Sequence, residues 1–246
     1  MDRLKNKVAL ITGGSRGIGA AIARRLSKEG AAVAFTYTNA REKAEEVVMA
    51  IESSGGKGLA IVADSADPQA VITAVRQTVA VYGRIDILVS NAGIFISKPL
   101  EEQLPEDFDL IMAVNVRAVF VGALEASRHM ARGSRIITIG SCMADRAGRP
   151  GASLYAMSKS ALSGFTIGMA RDMGARGITV NLVQPGPIDT DMNPANGPHA
   201  DMQRAMMALS EYGTGDDIAG LVAYLACEES KYMTGATLTI DGGVNA

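Results

Sequence analysis

The chain has 246 residues, of which 48% are hydrophobic and 20% charged, so it is long enough to bury a full core and too apolar to be disordered. Its 24 Lys and Arg residues balance 26 Asp and Glu residues, aromatic residues make up 4% and Trp is absent. This composition argues against a nucleic-acid partner, which needs a basic surface and stacking side chains. Two cysteines without CxxC spacing and two distant histidines predict neither a disulfide scaffold nor a metal site.

No uninterrupted apolar run reaches the ~18 residues that a bilayer span requires, and the first residues do not resemble a signal peptide. We therefore expect a soluble, cytoplasmic protein without a membrane partner.

Short runs rich in β-branched residues alternate with longer segments of helical period along the chain. Strands are predicted at 7–12, 32–37, 58–63, 85–90, 135–140, 179–184 and 237–241. Helices are predicted at 18–29, 40–54, 68–81, 108–130, 156–175 and 216–227. This alternation is typical of βαβ units and predicts a Rossmann-type α/β fold: a doubly wound sheet of seven mainly parallel strands with helices on both faces.

No linker or repeat divides the chain, so we predict a single domain over residues 1–246. The irregular stretch is 185–212, which holds four prolines and ends in a Met-rich segment. Long irregular excursions from a compact sheet are often functional, and we predict a substrate lid at about 187–212. The alternative is an ordered surface loop with a capping helix.

A glycine-rich turn follows the first predicted strand and leads directly into a helix. Such a turn lets backbone N–H groups and the helix N-terminus approach a pyrophosphate. The predicted phosphate-binding residues are Gly13, Ser15, Arg16, Gly17, Ile18 and Gly19.

The end of the second strand indicates which dinucleotide would bind. NAD-binding proteins usually place a carboxylate there against the ribose 2′-hydroxyl, but this chain has Tyr37, Thr38 and Asn39. Arg16 in the glycine loop, with Arg41 nearby, can pair with a 2′-phosphate. We predict NADPH rather than NADH as the cofactor.

A phenol and an ammonium lie four positions apart on one predicted helix, as Tyr155 and Lys159. A nearby ammonium stabilises a phenolate and lowers its pKa from ~10 toward the working range. Ser141 ends a predicted strand at the sheet edge where ligands bind, and is placed to hydrogen-bond the same carbonyl oxygen. These three residues are candidate catalytic groups for reduction of a carbonyl.

Together these motifs resemble the short-chain dehydrogenase/reductase family over essentially the whole chain. By resemblance, Tyr155 is the acid/base, Lys159 lowers its pKa, Ser141 orients the carbonyl and Asn115 holds a water of the proton relay. The resemblance also implies a homotetramer and further cofactor-binding residues, which are Asp64, Ser65, Asn91, Ala92, Gly93, Pro185, Gly186, Ile188 and Thr190.

The segment between Ser141 and Tyr155 is one residue longer than in close relatives, so the position of Ser141 is the least secure of the four. Arg146 and Arg149 in this segment would favour anionic substrates, or be solvated loop charges. Five methionines, which could line an adaptable pocket or fill the core, are Met143, Met192, Met202, Met206 and Met207.

Two functions are compatible with these residues. The first is NADPH-dependent reduction of a ketone or 3-oxoacyl group to a secondary alcohol, since the chain is similar to bacterial 3-oxoacyl-acyl-carrier-protein reductases. In those enzymes the residues at the positions of Arg132 and Arg176 bind the acyl carrier protein. The spacing of Tyr155 and Lys159 argues against the enoyl-reductase branch of the family, in which the tyrosine and lysine are further apart. The alternative is a regulator affecting biofilm dispersal, because the chain also resembles a cyclic-di-GMP-binding protein of this fold whose pocket arginines would hold the cyclic dinucleotide.

Overall fold

The apolar runs form the strands of one sheet in the computed structural model, which describes residues 2–246. The strands are β1 (Val8–Ile11), β2 (Ala32–Tyr37), β3 (Lys57–Val62), β4 (Ile87–Ser90), β5 (Arg135–Ile139), β6 (Thr179–Pro185) and β7 (Thr237–Ile240). Their order is β3-β2-β1-β4-β5-β6-β7, and every neighbouring pair is parallel. The predicted sheet of seven strands is confirmed, with ends shifted by one or two residues.

Helices cover both faces of this sheet. They are α1 (Gly17–Lys28), α2 (Arg41–Ser53), α3 (Pro68–Tyr82), α4 (Pro105–Met112), α5 (Ala118–Ser127), α6 (Ser153–Gly174), α7 (Ala200–Ala205) and α8 (Gly215–Ala226). Because side chains alternate along a strand, Ile11 faces a core shared with α1, α2 and α8, whereas Leu10 faces a core shared with α3, α5 and α6. These two cores bury the five inner strands almost completely, whereas the edge strands β3 and β7 stay partly exposed.

The predicted single helix at 108–130 is instead three segments. Helix α4 continues through a π-helical turn, Ala113–Arg117, into α5, which ends at Ser127. π-turns within helices are rare and are frequent at functional sites. This turn contains Asn115 and brings it toward the sheet.

The continuous helical stretch Pro105–Ser127 is long and apolar enough to cross a membrane by length and composition alone. Half of its most apolar window is buried inside the protein, against α3 and the sheet. Core helices pass the same test, so this stretch is weak evidence for a membrane span.

The predicted lid region is irregular and contains the short helix α7. Its ends are held by a bridge between Ile188 and Gly213 and by packing of Met207 against Cys142 and Val244. The backbone N–H of Leu209 also donates to a C-terminal carbonyl, 3.0 Å away. The segment thus covers the carboxyl edge of the sheet and is attached to the rest of the protein at both of its ends. Its action as a lid stays a prediction.

Candidate functional site

A cavity of about 670 Å³ opens at the carboxyl ends of the strands, where the strand order reverses between β1 and β4. Doubly wound sheets bind their ligands at this position. The cavity wall contains all of the predicted cofactor-binding residues, which are Gly13, Ser15, Arg16, Gly17, Ile18, Gly19, Tyr37, Thr38, Asn39, Asp64, Ser65, Asn91, Ala92, Gly93, Pro185, Gly186, Ile188 and Thr190. Of the four predicted catalytic residues, three line it, which are Ser141, Tyr155 and Lys159.

The glycine loop is shaped so that only glycine fits at two of its positions. Gly13 has a φ of +67°, and a Cβ on Gly19 would collide with the Gly13 carbonyl oxygen and lie 2.6 Å from Asn91 Nδ2. Asn91 donates from Nδ2 to the carbonyl oxygens of Thr12 and Gly13, at 2.9 Å each, and so holds the loop in place. The result is a cradle of bare backbone before the N-terminus of α1, which fits a dinucleotide pyrophosphate.

The end of β2 lines the part of the cavity next to the glycine loop. Residues 36–40, at this strand end, include no carboxylate. Arg16 lies at its mouth, 62% exposed at the side chain, and its Nη1 is 3.5 Å from Asp191 Oδ2. Lys43 Nζ reaches the same carboxylate oxygen at 2.7 Å. Arg16 therefore borders the strand end that would hold a ribose 2′-phosphate, and Asp191 partly neutralises its charge.

The catalytic candidates meet between β5 and α6. Lys159 is buried, and its Nζ donates to the Ile139 carbonyl oxygen at 3.0 Å and lies 5.8 Å from the centroid of the Tyr155 ring. Ser141 caps a short turn by accepting a hydrogen bond from the Met143 N–H at 3.2 Å, and its hydroxyl lies close enough to Tyr155 to lower the pKa of the phenol. The longer segment before Tyr155 therefore does not carry Ser141 away from it.

The protonation of these groups differs from the expectation. Burial raises the pKa of Tyr155 to about 12, and the hydrogen bond with Ser141 only partly opposes this rise. Burial also lowers the pKa of Lys159 to about 8. In this structure burial of the phenol therefore outweighs the expected lowering of the Tyr155 pKa by Lys159, whose ammonium bonds the Ile139 carbonyl and not the phenol.

Asn115 lies behind the cavity wall and not in it. Its Oδ1 accepts from the Ile94 N–H at 2.9 Å, while its Nδ2 donates to the Ile94 carbonyl and to Ser158 Oγ at 3.0 Å each. A Cβ on Gly93 would touch both Asn115 and Lys159, so the three pack closely. Asn115 positions the strand-end loop beside Lys159, and its part in a water relay stays a prediction.

The far end of the cavity contains residues that the motifs did not indicate. Phe95 packs edge-on against Tyr155, with ring centroids 4.8 Å apart, and Arg149 Cζ lies 4.9 Å from the Phe95 centroid. Val244 and the reciprocal amide pair of Asn193 and Gln203 also face the cavity. The one available signal for Phe95 was its position just after the Asn-Ala-Gly motif at the end of β4.

Comparison with known proteins places this site in a family. A family sequence model described as "Enoyl-(Acyl carrier protein) reductase" matches residues 13–245. The cyclic-di-GMP-binding biofilm dispersal mediator protein of Escherichia coli (strain K12) is 46% identical over 246 residues, all of both chains. The chain belongs to the short-chain dehydrogenase/reductase family of oxidoreductases, as its motifs predicted.

Two further relatives are similar over almost the whole chain. Versicolorin reductase 1 of Aspergillus parasiticus is 41% identical, over 98% of this chain and 97% of its own. A short-chain dehydrogenase from Burkholderia cenocepacia J2315, solved in complex with NADP, is 55% identical with a TM-score of 0.98 and covers 99% of this chain and 100% of its own.

Proposed function

We propose that this protein is an NADPH-dependent reductase that converts a ketone or 3-oxoacyl group to a secondary alcohol. The observation that carries the proposal is the meeting of Tyr155, Ser141 and Lys159 in one wall of a cavity whose other end is a glycine cradle. Proton donor and nucleotide site thereby share one enclosed space.

The residues have separate tasks in this proposal. NADPH, when bound, supplies a hydride to the carbonyl carbon. Tyr155 gives its proton to the carbonyl oxygen, and Ser141 donates a hydrogen bond to the same oxygen. Because the pKa of Tyr155 is about 12, the phenol keeps its proton at neutral pH until the oxygen becomes basic. Lys159, mostly protonated at pH 7, then stabilises the phenolate that remains.

The choice of NADPH has two supports. Arg16 lies beside a strand end that lacks the carboxylate used for NAD, so the site has a cation where a 2′-phosphate would sit. The Burkholderia cenocepacia relative is in complex with NADP and has the same fold throughout. A 2′-phosphate would replace Asp191 as the anionic partner of Arg16.

An acyl carrier protein as the substrate's carrier has weaker support. Arg176 already donates to the Ser127 and Met130 carbonyl oxygens, at 2.6 and 2.9 Å, and so caps the end of α5. Binding of an acyl carrier protein would then depend on the exposed Arg132 alone. The relative named versicolorin reductase favours a free ketone as the substrate class.

The test follows NADPH absorbance with small ketones, 3-oxoesters and an acetoacetyl thioester. Tyr155→Phe should lower turnover by about 10²–10⁴-fold, the usual contribution of a general acid. NADPH binding, measured by calorimetry, should persist in the variant. Equal turnover by Tyr155→Phe and the parent chain would contradict the proposal.

A cyclic dinucleotide is the second candidate ligand, on the strength of the Escherichia coli relative that is 46% identical and named for binding cyclic-di-GMP. Arg146 and Arg149 at the cavity wall are cations that its phosphates would contact. Calorimetric titration with cyclic-di-GMP decides this candidate. An affinity within tenfold of that for NADPH supports it, and an affinity weaker by orders of magnitude contradicts it.

Assembly into a homotetramer is also part of the proposal. The outer side of the α4–α6 layer exposes large apolar side chains that a second copy would cover, since soluble proteins rarely leave such contiguous patches open. These are Phe108, Leu110, Phe120, Leu124 and Ile167. Light scattering should give four times the chain mass, and Phe120→Glu should lower it. A monomeric parent chain would contradict this assembly.

A further inference from the structure

The part of the cavity beyond Tyr155, named here the substrate chamber, is lined by one aromatic ring and several thioethers. The cavity lining includes Phe95, Met143, Met192, Met202 and Met206, and of these Phe95 packs against Tyr155 and Met206 lies close to Gly148. Met side chains adapt to irregular shapes and favour contact with aromatic rings. A flat, apolar substrate body matches this wall better than a short polar chain does.

Two cations border the same chamber. Among the described residues, no carboxylate oxygen lies within 4.0 Å of the guanidinium of Arg146 or of Arg149. Arg16, at the other end of the cavity, is by contrast paired with Asp191. Arg146 donates only to the Val244 carbonyl oxygen, at 3.3 Å. The chamber therefore has positive charge that no acidic side chain neutralises.

The position of Arg149 relates this charge to the reacting centre. Its guanidinium lies over the Phe95 ring, and the same ring packs edge-on against Tyr155. A ketone whose oxygen meets Tyr155 would lay its body along Phe95, and its far end would then reach Arg149. Gly148 lies close to Met206 of the roof, and Arg149 itself lines the cavity.

We propose that the preferred substrate is an aryl ketone bearing an anionic group several bonds from the carbonyl, and that Arg149, assisted by Arg146, binds that group. This inference rests on the proposed reductase function and names its substrate class. Arg is suited to this task because its planar fork binds carboxylates in bidentate fashion.

The test compares 4-acetylbenzoate with its methyl ester, which has the same ketone without the charge. The parent chain should reduce the acid with a kcat/KM at least tenfold above that of the ester. Arg149→Gln should reduce this acid-to-ester ratio by about tenfold, mainly through KM for the acid, whereas Arg149→Lys should retain part of it. Arg171→Gln, an exposed arginine on α6 outside the cavity, is the charge-matched control and should keep the ratio.

A parent chain that handles acid and ester equally would overturn the inference, as would equal effects of Arg149→Gln and Arg171→Gln. Binding of 4-acetylbenzoate and its ester to the NADP-saturated protein, measured by calorimetry, separates the two proposals. If neither of these ketones nor any member of the ketone, 3-oxoester and thioester panel is reduced, the reductase function fails, and the binding preference for the acid alone decides the inference.

Discussion

The two ends of the cavity are built on different principles. At the nucleotide end, bare backbone forms the wall: a Cβ on Gly19 would collide with the Gly13 carbonyl, and Asn91 fixes the loop through its amide. At the substrate end, flexible side chains such as Met202 and Met206 form the wall on an irregular roof. A backbone site tolerates almost no substitution, whereas a side-chain site can change its specificity without disturbing the fold.

Gly19→Ala is the substitution with the largest expected effect, and it tests whether the backbone wall at the nucleotide end tolerates an added side chain. The added Cβ cannot fit against Gly13 and Asn91, so the loop must shift away from the pyrophosphate position. We expect NADPH affinity to fall by more than about 100-fold and the unfolding free energy by about 1–3 kcal/mol. Calorimetry and urea unfolding measure the two effects.

The control is Gly220→Ala on α8, where a Cβ would meet only Arg25 Nη1 at 3.7 Å. This variant should be slightly more stable, since alanine favours helices, and should bind NADPH unchanged. Unchanged binding by Gly19→Ala would show that the nucleotide end is as adaptable as the substrate end.

Lys159→Met tests how far the buried charge of Lys159 lowers the free energy of unfolding. The pKa of Lys159 is lowered from 10.5 to about 8, so the folded chain binds the proton less well than the unfolded chain. At pH 7 the charge therefore costs about 3 kcal/mol, and the variant should be more stable by that amount. Between pH 8 and 10.5 the parent chain gains stability, and the difference should close.

Urea unfolding of both chains at several pH values measures this difference. Lys231→Met, at an exposed lysine, is the control and should show no such pH-dependent gap. A Lys159→Met variant that is less stable than the parent at pH 7 would mean that the ammonium is stabilised where it lies.

Arg16→Gln sharpens the comparison within the nucleotide end, because Arg16 is a side-chain contact beside the backbone cradle. Loss of a charge-assisted contact to the 2′-phosphate should weaken NADPH binding by about 10–100-fold and leave NADH binding nearly unchanged. Arg171→Gln, at an exposed arginine of α6 outside the cavity, is the matched control. Equal losses for NADPH and NADH would contradict the assignment of Arg16.

The last expected effect, which changes no residue, is in the pH profile. kcat/KM for NADPH reports groups of the free enzyme, and the charge of Lys159 is lost above pH 8. We expect kcat/KM to fall about tenfold per pH unit above that value, because the pKa of Tyr155 lies too high to cause the decline. Steady-state rates from pH 6 to 10 measure it, and a flat profile to pH 10 would contradict the role of Lys159.

The nucleotide end was predictable because its requirements are local. The positions of the strands, the glycine loop and the residues after β2 follow from short-range patterns, and all of the predicted cofactor residues line one cavity in the structure.

The substrate end depends on tertiary contacts that no short pattern contains. The π-turn around Asn115 interrupts a segment whose helical period is continuous. The direction of the shift in the Tyr155 pKa depends on how deeply its own phenol is buried, and the role of Phe95 depends on its packing against Tyr155.

Transfer of deuterium from NADPH that carries two deuterium atoms at the nicotinamide C4 tests the central claim, reduction of a carbonyl by hydride transfer beside Tyr155. The account predicts that the parent chain places one deuterium on the carbinol carbon of the alcohol formed from a reduced ketone, measured by mass spectrometry. Tyr155→Phe should bind the same NADPH and form almost no labelled alcohol. Tight NADPH binding by the parent chain without any labelled alcohol from the ketone panel would contradict the account.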